Sequence, residues 1–368
     1  MGNETGQSTT ERRSFDEKRA EQFAARMIGA LNEGGLCLMT SLGHRTGLFD
    51  TVEKMGPATS AQIAGRADLD ERYVREWLDA LTVAGVVEHD PDERTYHLPA
   101  EHAAFLTRSA GADNIAAFSQ WIPVLAEVED EVAECFRAGG GVSYGAYGRF
   151  HEVMAEESAL TLDSLLEDEI LGLVPGIKER LKEGIRVLDL GCGRGQALLM
   201  MAESYPDSTF TGIDLSGEVV EHARAEADER GLSNVQFIQE DLADFEEKAE
   251  PNSFEFITTF DAVHDQPCPK ALLRGIEMSL TENGYYLAQD VHASRNVHEN
   301  LDHPIGTLLY ATSVLHCMTV SLEQGGPGLG TMLGVETIRE MLEGAGFRSI
   351  EVHTFEEDIQ NCYFVCQP

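Results

Sequence analysis

The chain has 368 residues, of which 42% are apolar and 25% charged, an ordinary globular composition at a length that predicts two domains. Its 64 acidic residues against 27 basic residues give a formal net charge of -37. Such a surface repels phosphate groups, so the composition argues against nucleic acid and anionic membrane as partners.

The cysteines predict a reducing cytosol, and the apolar segments predict neither a signal peptide nor a membrane span. Seven cysteines are scattered without a Cys-x-x-Cys pair, so neither a disulfide framework nor a zinc site is predicted. The first residues lack the apolar region of a signal peptide, and the longest apolar stretch, 305–320, falls short of the ~20 residues that a bilayer requires. We expect a soluble cytoplasmic protein. Its acidity is compatible with a salty cytoplasm or with a GC-rich genome that replaces Lys by Arg.

The first part of the chain predicts an arm followed by helices. Residues 1–20 are polar without a hydrophobic period, which predicts a disordered arm. Apolar residues then recur at helical spacing on both sides of Gly34 and Gly35, so we expect two helices, at about 21–33 and 35–48. Their apolar faces exceed what a small unit can cover, which predicts a homodimer formed through residues 21–110.

A winged helix comes next in the chain. Thr59 and Gln62 form a capping box at the start of a short helix, a longer helix begins near Asp70, and two short strands flank the turn 90–94. The second helix is net acidic, whereas a helix that enters the major groove of DNA is basic. We therefore interpret residues 21–138 as a winged-helix dimerisation domain.

The rest of the chain predicts an α/β domain. Glycines at 139–148 mark a linker, and residues 139–182 are expected to connect the domains through helices. From 183 to 368, strands alternate with helices, which is typical of a parallel sheet covered on both faces. The expected strands are 185–190, 209–213, 234–239, 255–260, 284–290, 349–355 and 360–366. The expected helices are 195–204, 217–230, 268–280 and 335–344. A His- and Gly-rich insertion at 292–332 is interpreted as a mobile lid, with no compact metal motif.

Glycines and an acid occupy the end of the first of these strands. The strand runs through Asp189 into Gly191, Gly193 and Gly195, and a helix begins at once. Glycine allows a ligand to approach the backbone closely, although such turns also tighten packing. The sixth position from Gly191 is Gln196, so the Gly-x-Gly-x-x-Gly fingerprint of a dinucleotide site is absent.

Acids also end the next two strands. Asp214 ends the second strand, where a carboxylate can accept hydrogen bonds from both hydroxyls of a ribose. Ser216 is placed to cap the next helix, which leaves Asp214 for a ligand. Asp241 and Leu242 come after the third strand at the same edge, and an adenine amino group suits Asp241.

The segments LDLGCGRG, GIDLS and QEDLADF, together with the strand pattern, resemble class I S-adenosylmethionine-dependent methyltransferases over residues 180–368. The resemblance implies an α/β fold, a Rossmann-like seven-stranded methyltransferase domain preceded by a mostly helical winged-helix domain. It also implies S-adenosyl-L-methionine as the cofactor. The residues implied at the cofactor are Asp189, Gly191, Gly193 and Gly195 around the methionine portion, Asp214 at the ribose, Asp241 and Leu242 at the adenine, and also Leu215 and Phe260.

A narrower resemblance concerns the end of the fourth strand. His264 and Asp265 are similar to the His-Asp segment of small-molecule O-methyltransferases with an N-terminal winged-helix dimerisation domain. In those enzymes the matching histidine is often the general base, which implies that His264 takes a proton from a substrate hydroxyl. An imidazole near its usual pKa suits this role at neutral pH. Gln266 stands where the family usually has an aromatic residue, and the acids that position the base cannot be placed by motif.

The resemblance leaves the acceptor and the role of the histidine open. We expect methyl transfer to the hydroxyl of a small molecule, without a metal. Methylation of nitrogen, carbon or arsenic is compatible with the same cofactor motifs, and some family members act by proximity alone. The segment 144–150 resembles the stretch that borders the cofactor cleft in relatives, or is linker packing. A DNA-binding regulator that senses S-adenosylmethionine is the alternative from another functional class.

Overall fold

The computed structural model describes residues 15–356 and 358–368, in two compact units that meet in sequence between Pro99 and Ala100. The predicted disordered arm, residues 1–20, lies for the most part outside the described residues. Residues 15–20 of it are described, and the last four of these form the start of the first helix, which begins at Glu17, so disorder is not found there. In the part of the chain that is described, no helix is both long and apolar enough to cross a membrane.

The first unit is a winged helix preceded by a long helix. Its elements are α1 (Glu17–Arg45), α2 (Leu48–Glu53), α3 (Ser60–Ala67), α4 (Glu71–Val83), β1 (Glu88–Asp90) and β2 (Thr95–His97). The predicted capping box is confirmed at the start of α3, and β1 and β2 pair as an antiparallel hairpin. Trp77 on α4 is buried, and its indole N–H donates to the carbonyl of Met39 at 2.8 Å, which ties α4 to α1.

The prediction of two separate N-terminal helices is wrong. One helix, α1, runs from Glu17 to Arg45 through both Gly34 and Gly35. A glycine inside a helix costs only about 1 kcal/mol relative to alanine, and strong helix formers surround this pair. Among the described residues, no heavy atom lies within 4 Å of where a Cβ would stand on either glycine. The glycines therefore neither break the helix nor admit a close neighbour.

The second unit is an α/β sheet with helices on both faces. Its helices are α5 (Ala100–Leu106), α6 (Ile115–Phe118), α7 (Trp121–Ala126), α8 (Glu129–Ala138), α9 (Phe150–Leu165), α10 (Ile177–Glu183), α11 (Gln196–Ser204), α12 (Gly217–Glu229), α13 (Phe245–Lys248), α14 (Pro269–Ser279), α15 (Gly306–Thr312), α16 (Met318–Glu323) and α17 (Val335–Ala345). Its strands are β3 (Arg186–Leu190), β4 (Thr209–Asp214), β5 (Val235–Gln239), β6 (Phe254–Phe260), β7 (Leu280–Val291), β8 (Ser349–His353) and β9 (Asn361–Gln367). The seven strands and four helices predicted for this region are confirmed, with ends that shift by a few residues.

The strand order is β5-β4-β3-β6-β7-β9-β8. Neighbouring strands are parallel except at β9, which is antiparallel to both β7 and β8. Buried apolar residues form one cluster on each face of the sheet, and β9 contributes Tyr363 to one and Phe364 to the other. Because β3, β4, β5 and β6 are parallel, their carboxyl ends share one edge, where ligands bind in open α/β sheets.

The division between the units differs from the domain boundary expected at residue 138. Residues 100–138 belong to the second unit. Trp121, Val124 and Val132 share an apolar cluster with Phe150 and Val320, two residues that lie beyond the glycine-rich linker in sequence. The glycines at 139–148 therefore turn the chain inside a unit, and the packing of apolar faces decides where the unit begins.

The insertion at 292–332 is largely helical. It contains α15, α16 and a π-helical turn at 313–317 that joins them. His316 and Val320 are fully buried, so this segment packs as part of the second unit. Its opening and closing motion remains a prediction.

Candidate functional site

A cavity of about 670 Å³ lies at the carboxyl ends of the parallel strands. The segments after β3, β4, β5 and β6 all contribute to its wall. Nine residues that the sequence assigns to a cofactor line it, namely Asp189, Gly191, Gly193, Gly195, Asp214, Leu215, Asp241, Leu242 and Phe260. The topology thus brings together residues from four separate segments of the chain.

The glycines of the β3–α11 turn serve both conformation and close packing. Gly191, Gly193 and Gly195 have φ angles of 74°, 53° and 77°, which side chains other than glycine rarely adopt. A Cβ on Gly191 would lie 2.5 Å from Cβ of Ala262, and one on Gly195 would lie 2.5 Å from the ring of Phe237. At Gly193 a Cβ would meet no heavy atom of the described chain within 4 Å, so this backbone is open to a ligand.

Asp214 lies at the end of β4 with both carboxylate oxygens facing backbone donors. The N–H of Gly193 donates to Oδ2 and the N–H of Ser216 donates to Oδ1, each at 2.9 Å. The expectation that the Ser216 side chain caps α12 is wrong, because that side chain makes no capping hydrogen bond to a described residue and Asp214 accepts from Ser216 instead. Burial raises the pKa of Asp214. Each oxygen keeps a further lone pair for a ligand.

Asp189 is the most deeply buried acid of the cavity, with 2% of its surface exposed. Its Oδ1 accepts a hydrogen bond from the Thr258 hydroxyl at 2.7 Å. Burial raises the pKa of this carboxyl to about 7, since the charged form loses its hydration, and the nearby Asp214 adds to the shift. A positively charged ligand would favour ionisation of this acid.

The adenine end of the predicted site is more open. Asp241 is exposed, and its Oδ1 accepts from the N–H of Ala243 at 2.8 Å. Leu242 beside it is buried, whereas Leu215 is 46% exposed. An apolar wall with a carboxylate at its rim suits a flat, nitrogen-rich ring.

His264 is buried behind the cavity wall, while its neighbours Ala262, Asp265 and Gln266 line the cavity. Its Nδ1 lies 2.8 Å from Oδ1 of Asp290, and its Nε2 lies 3.4 Å from Oδ1 of Asp265. Burial disfavours the charged ring, but the two carboxylates outweigh burial and raise the pKa of His264 well above its usual value. The expectation of an imidazole near its usual pKa is therefore wrong.

The acid that engages His264 is not predicted from the sequence. Asp290 stands near the end of β7, and it is 1% exposed. It lies 26 positions after His264 and belongs to none of the motifs described above. Its position on the strand next to β6, at the same edge as His264, is the signal that could have found it.

Aromatic side chains from the 144–150 segment form another part of the wall. Tyr144, Tyr147 and Phe150 line the cavity, and the Tyr144 hydroxyl donates to Oδ2 of Asp265 at 3.3 Å. The ring of Phe150 stacks on that of His316, with centroids 3.6 Å apart. Burial lowers the pKa of His316 well below its usual value, so this ring is neutral. His316 had no motif that could have identified it.

Two groups of potential metal-ligating atoms share His264. One contains Asp265 and Cys317, the other Asp261 and Asp290, and the atoms of each group lie within 4.8 Å of one another. The imidazole is already engaged by Asp290 and Asp265, so an ion-pair network accounts for these contacts. The expectation that no metal takes part stays a prediction.

Two family descriptions match the chain. Residues 34–108 match the Rv2258c-like winged HTH domain, and residues 181–346 match the Methyltransferase domain. The first range covers the helices and hairpin of the winged helix. The second covers the chain from β3 to α17 and with it the nine cavity residues that the sequence assigns to a cofactor.

Curated relatives match over part of their length. A fatty-acid O-methyltransferase of Mycolicibacterium smegmatis is 29% identical over 117 residues, which is 32% of this chain and 41% of the relative. An (S)-coclaurine N-methyltransferase of Thalictrum flavum subsp. glaucum is 29% identical over 114 residues, 31% of each protein. The chain thus spans less than half the length of either relative.

A solved structure matches over nearly its whole length. Human N-acetylserotonin methyltransferase in complex with S-adenosylmethionine superimposes with a TM-score of 0.66, and the match covers 98% of this chain and 99% of the human one. The two sequences are 17% identical. At this identity the likeness concerns the fold alone.

Proposed function

Since the chain belongs to the class I methyltransferases that carry an N-terminal winged helix, we propose that it transfers a methyl group from S-adenosyl-L-methionine to a small molecule, with a hydroxyl oxygen as the acceptor atom. The observation that carries this proposal is that one cavity collects all nine residues assigned to the cofactor from sequence. The winged helix supplies no basic surface on α4 that would favour a regulator of DNA.

The cavity fits the cofactor by charge and by shape. Bound S-adenosylmethionine supplies an activated methyl group on a sulfonium and carries net positive charge. Asp189 is the buried carboxylate that complements this charge, and the open backbone at Gly193 leaves room beside it. Asp214 keeps lone pairs for the ribose hydroxyls, and Asp241 with Leu242 borders the adenine.

The chain's own contribution to the reaction is alignment and removal of a proton. His264 acts as the general base, and its Nδ1 proton is held by Asp290 at 2.8 Å, which leaves Nε2 as the atom that accepts the acceptor's proton. Nε2 faces Asp265, a residue of the cavity wall. Because both carboxylates favour the charged ring, protonated His264 persists to higher pH than an isolated histidine, and the free base forms above that pH.

The molecule acts as a cytoplasmic homodimer in this proposal. A stripe of exposed apolar residues on α1 supports the dimer, at Phe23, Met27, Leu31, Leu38 and Leu42. All seven cysteines are free thiols, which suits a reducing compartment. The excess of acid fits a cytoplasm rich in salt.

A labelled cofactor tests the proposed reaction whatever the acceptor is. The protein is incubated with cell extract and S-adenosylmethionine that carries a labelled methyl group, and small molecules are analysed for the label. We expect a labelled product of low molecular mass. Label only in nucleic acid or protein would contradict the proposal, as would tighter binding of NAD than of S-adenosylmethionine by calorimetry.

A further inference from the structure

The charge of the cavity is unbalanced beyond what the cofactor requires. Arg194 is the sole Lys or Arg among the described residues that line it, and its guanidinium pairs with Glu218 at 2.7 Å. Two further acids, Asp261 and Asp265, line the wall after β6. Neither belongs to the residues that we assign to the cofactor. Burial raises the pKa of both carboxyls, that of Asp261 to about 8, so a cation in the remaining space of the cavity would favour their ionised forms.

Asp265 holds a carboxylate oxygen without a hydrogen-bond donor among the described residues. The residue is 8% exposed, and its Oδ2 accepts from the Tyr144 hydroxyl. Oδ1 is buried and unpartnered, and Nε2 of His264 lies 3.4 Å from it. That imidazole also faces Asp290 at 2.8 Å. One imidazolium therefore serves two buried carboxylates, and a buried charge without full compensation is costly.

Asp261 repeats this pattern at the end of β6. Its Oδ2 accepts from the Gln289 amide at 2.7 Å, whereas its Oδ1 is buried without a hydrogen-bond partner in the described part of the chain. The residue has a φ of 50°, a conformation that costs free energy for a side chain other than glycine. Strain of this kind persists where the surrounding structure imposes it, and it clusters at functional sites.

Aromatic rings, the imidazole of His316 and the thiol of Cys317 complete the surroundings of Asp265, with Nδ1 of His316 3.9 Å from Oδ2. Tyr144 contacts it directly through the hydroxyl, and Tyr144 and Phe150 lie edge to face with ring centroids 5.8 Å apart. Rings close to a carboxylate attract an organic cation through their electron-rich faces. The same wall would repel an acceptor that carries a carboxylate or phosphate.

We propose that the methyl acceptor carries a positively charged amine, which pairs with the carboxylate of Asp265 at the cavity wall and lies beside the ring of Tyr144. This inference rests on the proposed function and specifies its substrate class. The charged nitrogen is a recognition group, and the methyl group goes to a hydroxyl elsewhere on the same molecule. Without the amine, the carboxylates of Asp265 and Asp290 share a single positive charge, the imidazolium of His264. The amine supplies a second positive charge.

The experiment compares three phenols that differ only in the charge of one substituent. Tyramine has an ammonium, 4-ethylphenol is neutral, and 3-(4-hydroxyphenyl)propionate has a carboxylate. Their dissociation constants are measured by calorimetry with the full chain saturated with S-adenosylhomocysteine. We expect tyramine to bind about tenfold more tightly than 4-ethylphenol, the scale of one well-placed charge-assisted contact, and the propionate to bind most weakly.

Variants assign the preference to its residue. Asp265→Asn should abolish the preference for tyramine and leave the affinity for 4-ethylphenol unchanged within about twofold, since the shape is kept. Asp265→Glu keeps the charge and should retain part of the preference. Glu282→Gln removes a charge from an exposed position outside the cavity and should alter nothing. The affinity for S-adenosylhomocysteine, measured for each variant, reports whether the domain has folded.

Two results would overturn the inference. The first is tyramine that binds no more tightly than 4-ethylphenol, absence of detectable binding included. The second is a preference that survives in Asp265→Asn. If that variant also loses affinity for S-adenosylmethionine relative to S-adenosylhomocysteine, the carboxylate serves the sulfonium instead. Failure of the proposed function is distinct, because neither cofactor form would then bind.

Discussion

At the scale of single residues, Asp214 offers the most direct test of the cofactor site. Asp214→Ala should weaken binding of S-adenosylmethionine by about 1.5–3 kcal/mol, because it removes charge-assisted hydrogen bonds to the ribose. Calorimetry measures this affinity directly. Asp228→Ala, which removes an exposed acid from α12, is the control and should bind normally. Equal affinity in the two variants would remove Asp214 from the site.

We expect Asp189 to make cofactor binding depend on pH. Burial raises the pKa of its carboxyl to about 7, so near neutral pH a part of the free protein carries a proton there. A cationic cofactor favours the ionised form, and binding should therefore release a proton. Affinity should fall as pH drops below about 7. Calorimetry in buffers of different ionisation enthalpy counts the proton, and an identical heat in every buffer at a pH of about 6.5 would contradict the role of Asp189.

His264 should set the pH dependence of the rate. His264→Ala should lower kcat by about 10²–10⁴ and leave cofactor affinity nearly unchanged, as expected for loss of a general base. Because the pKa of His264 is raised well above its usual value, the wild-type rate should rise with pH through the alkaline side of neutrality. The rise should be absent in His264→Ala.

A variant of Asp290 tests whether this carboxylate sets the pH dependence of His264. Asp290→Asn removes the carboxylate that lies 2.8 Å from Nδ1, so the pKa of His264 should fall and the rise in rate should move to lower pH. A purely structural aspartate would lower activity at every pH without moving the profile. If His264→Ala keeps most of the activity, alignment alone drives transfer and the histidine is structural.

The residues of the site divide into those that a motif could find and those that only the fold brings together. Asp189, Asp214 and Asp241 lie at the ends of strands that the sequence identifies, so their common edge could be predicted. Asp290 and His316 reach the site through strand order and through the packing of an insertion. The pKa of His264 depends on buried neighbours that no local motif reveals. The expectation of a pKa near the usual value is therefore wrong.

At the scale of secondary-structure elements, α1 carries the strongest indication of a partner. Exposed apolar residues lie along one face of this helix, and Phe23 and Leu31 are 61% and 78% exposed. A symmetric dimer would cover them. Light scattering should therefore give twice 40.4 kDa.

A double variant tests the face itself. Phe23→Asp with Leu31→Glu should yield monomers, since charge would be buried in the interface. Val83→Glu changes a residue of α4 that is 91% exposed and should leave the dimer intact. A wild-type protein that is monomeric and fully active at micromolar concentration would refute the interface.

Helix α1 shows that a local sequence rule, the breaking of a helix by a glycine pair, can fail. Two adjacent glycines predict a break, yet the helix continues because flanking residues favour it and the cost is modest. Strands with a continuous apolar run, such as β3 and β9, are predicted to within a few residues. Both faces of these strands are buried in the sheet, which sets their hydrophobic pattern.

At the scale of the whole molecule, the net charge of -37 should make stability depend on salt. Exposed carboxylates repel one another over a Debye length of about 10 Å at about 0.1 M salt, and that distance shrinks to about 3 Å at about 1 M. The melting temperature should climb steadily as salt rises over this range. A flat response would favour a GC-rich genome as the origin of the acidity. The exposed carboxylates would then be too far apart to repel one another strongly.

The limits of the two units could not be read from composition. A glycine-rich stretch is a reasonable marker of a linker, but residues 100–138 pack with the chain beyond it. Apolar faces that are distant in sequence, such as those of Trp121 and Val320, decide the division. Contacts of this range leave no local trace in the sequence.

The position of β9 has a consequence for how the protein is made. β9 lies between β7 and β8 although it comes after both in the chain, and β8 pairs with no other strand among the described residues. During synthesis β7 emerges before β8 and β9, so we expect a sheet that at first ends at β7, with both apolar layers lacking Tyr363 and Phe364. We expect the β8–β9 hairpin to dock after β7 and to complete both layers. Until then the exposed edge of β7 is a surface that a chaperone must shield or that another nascent chain could pair with.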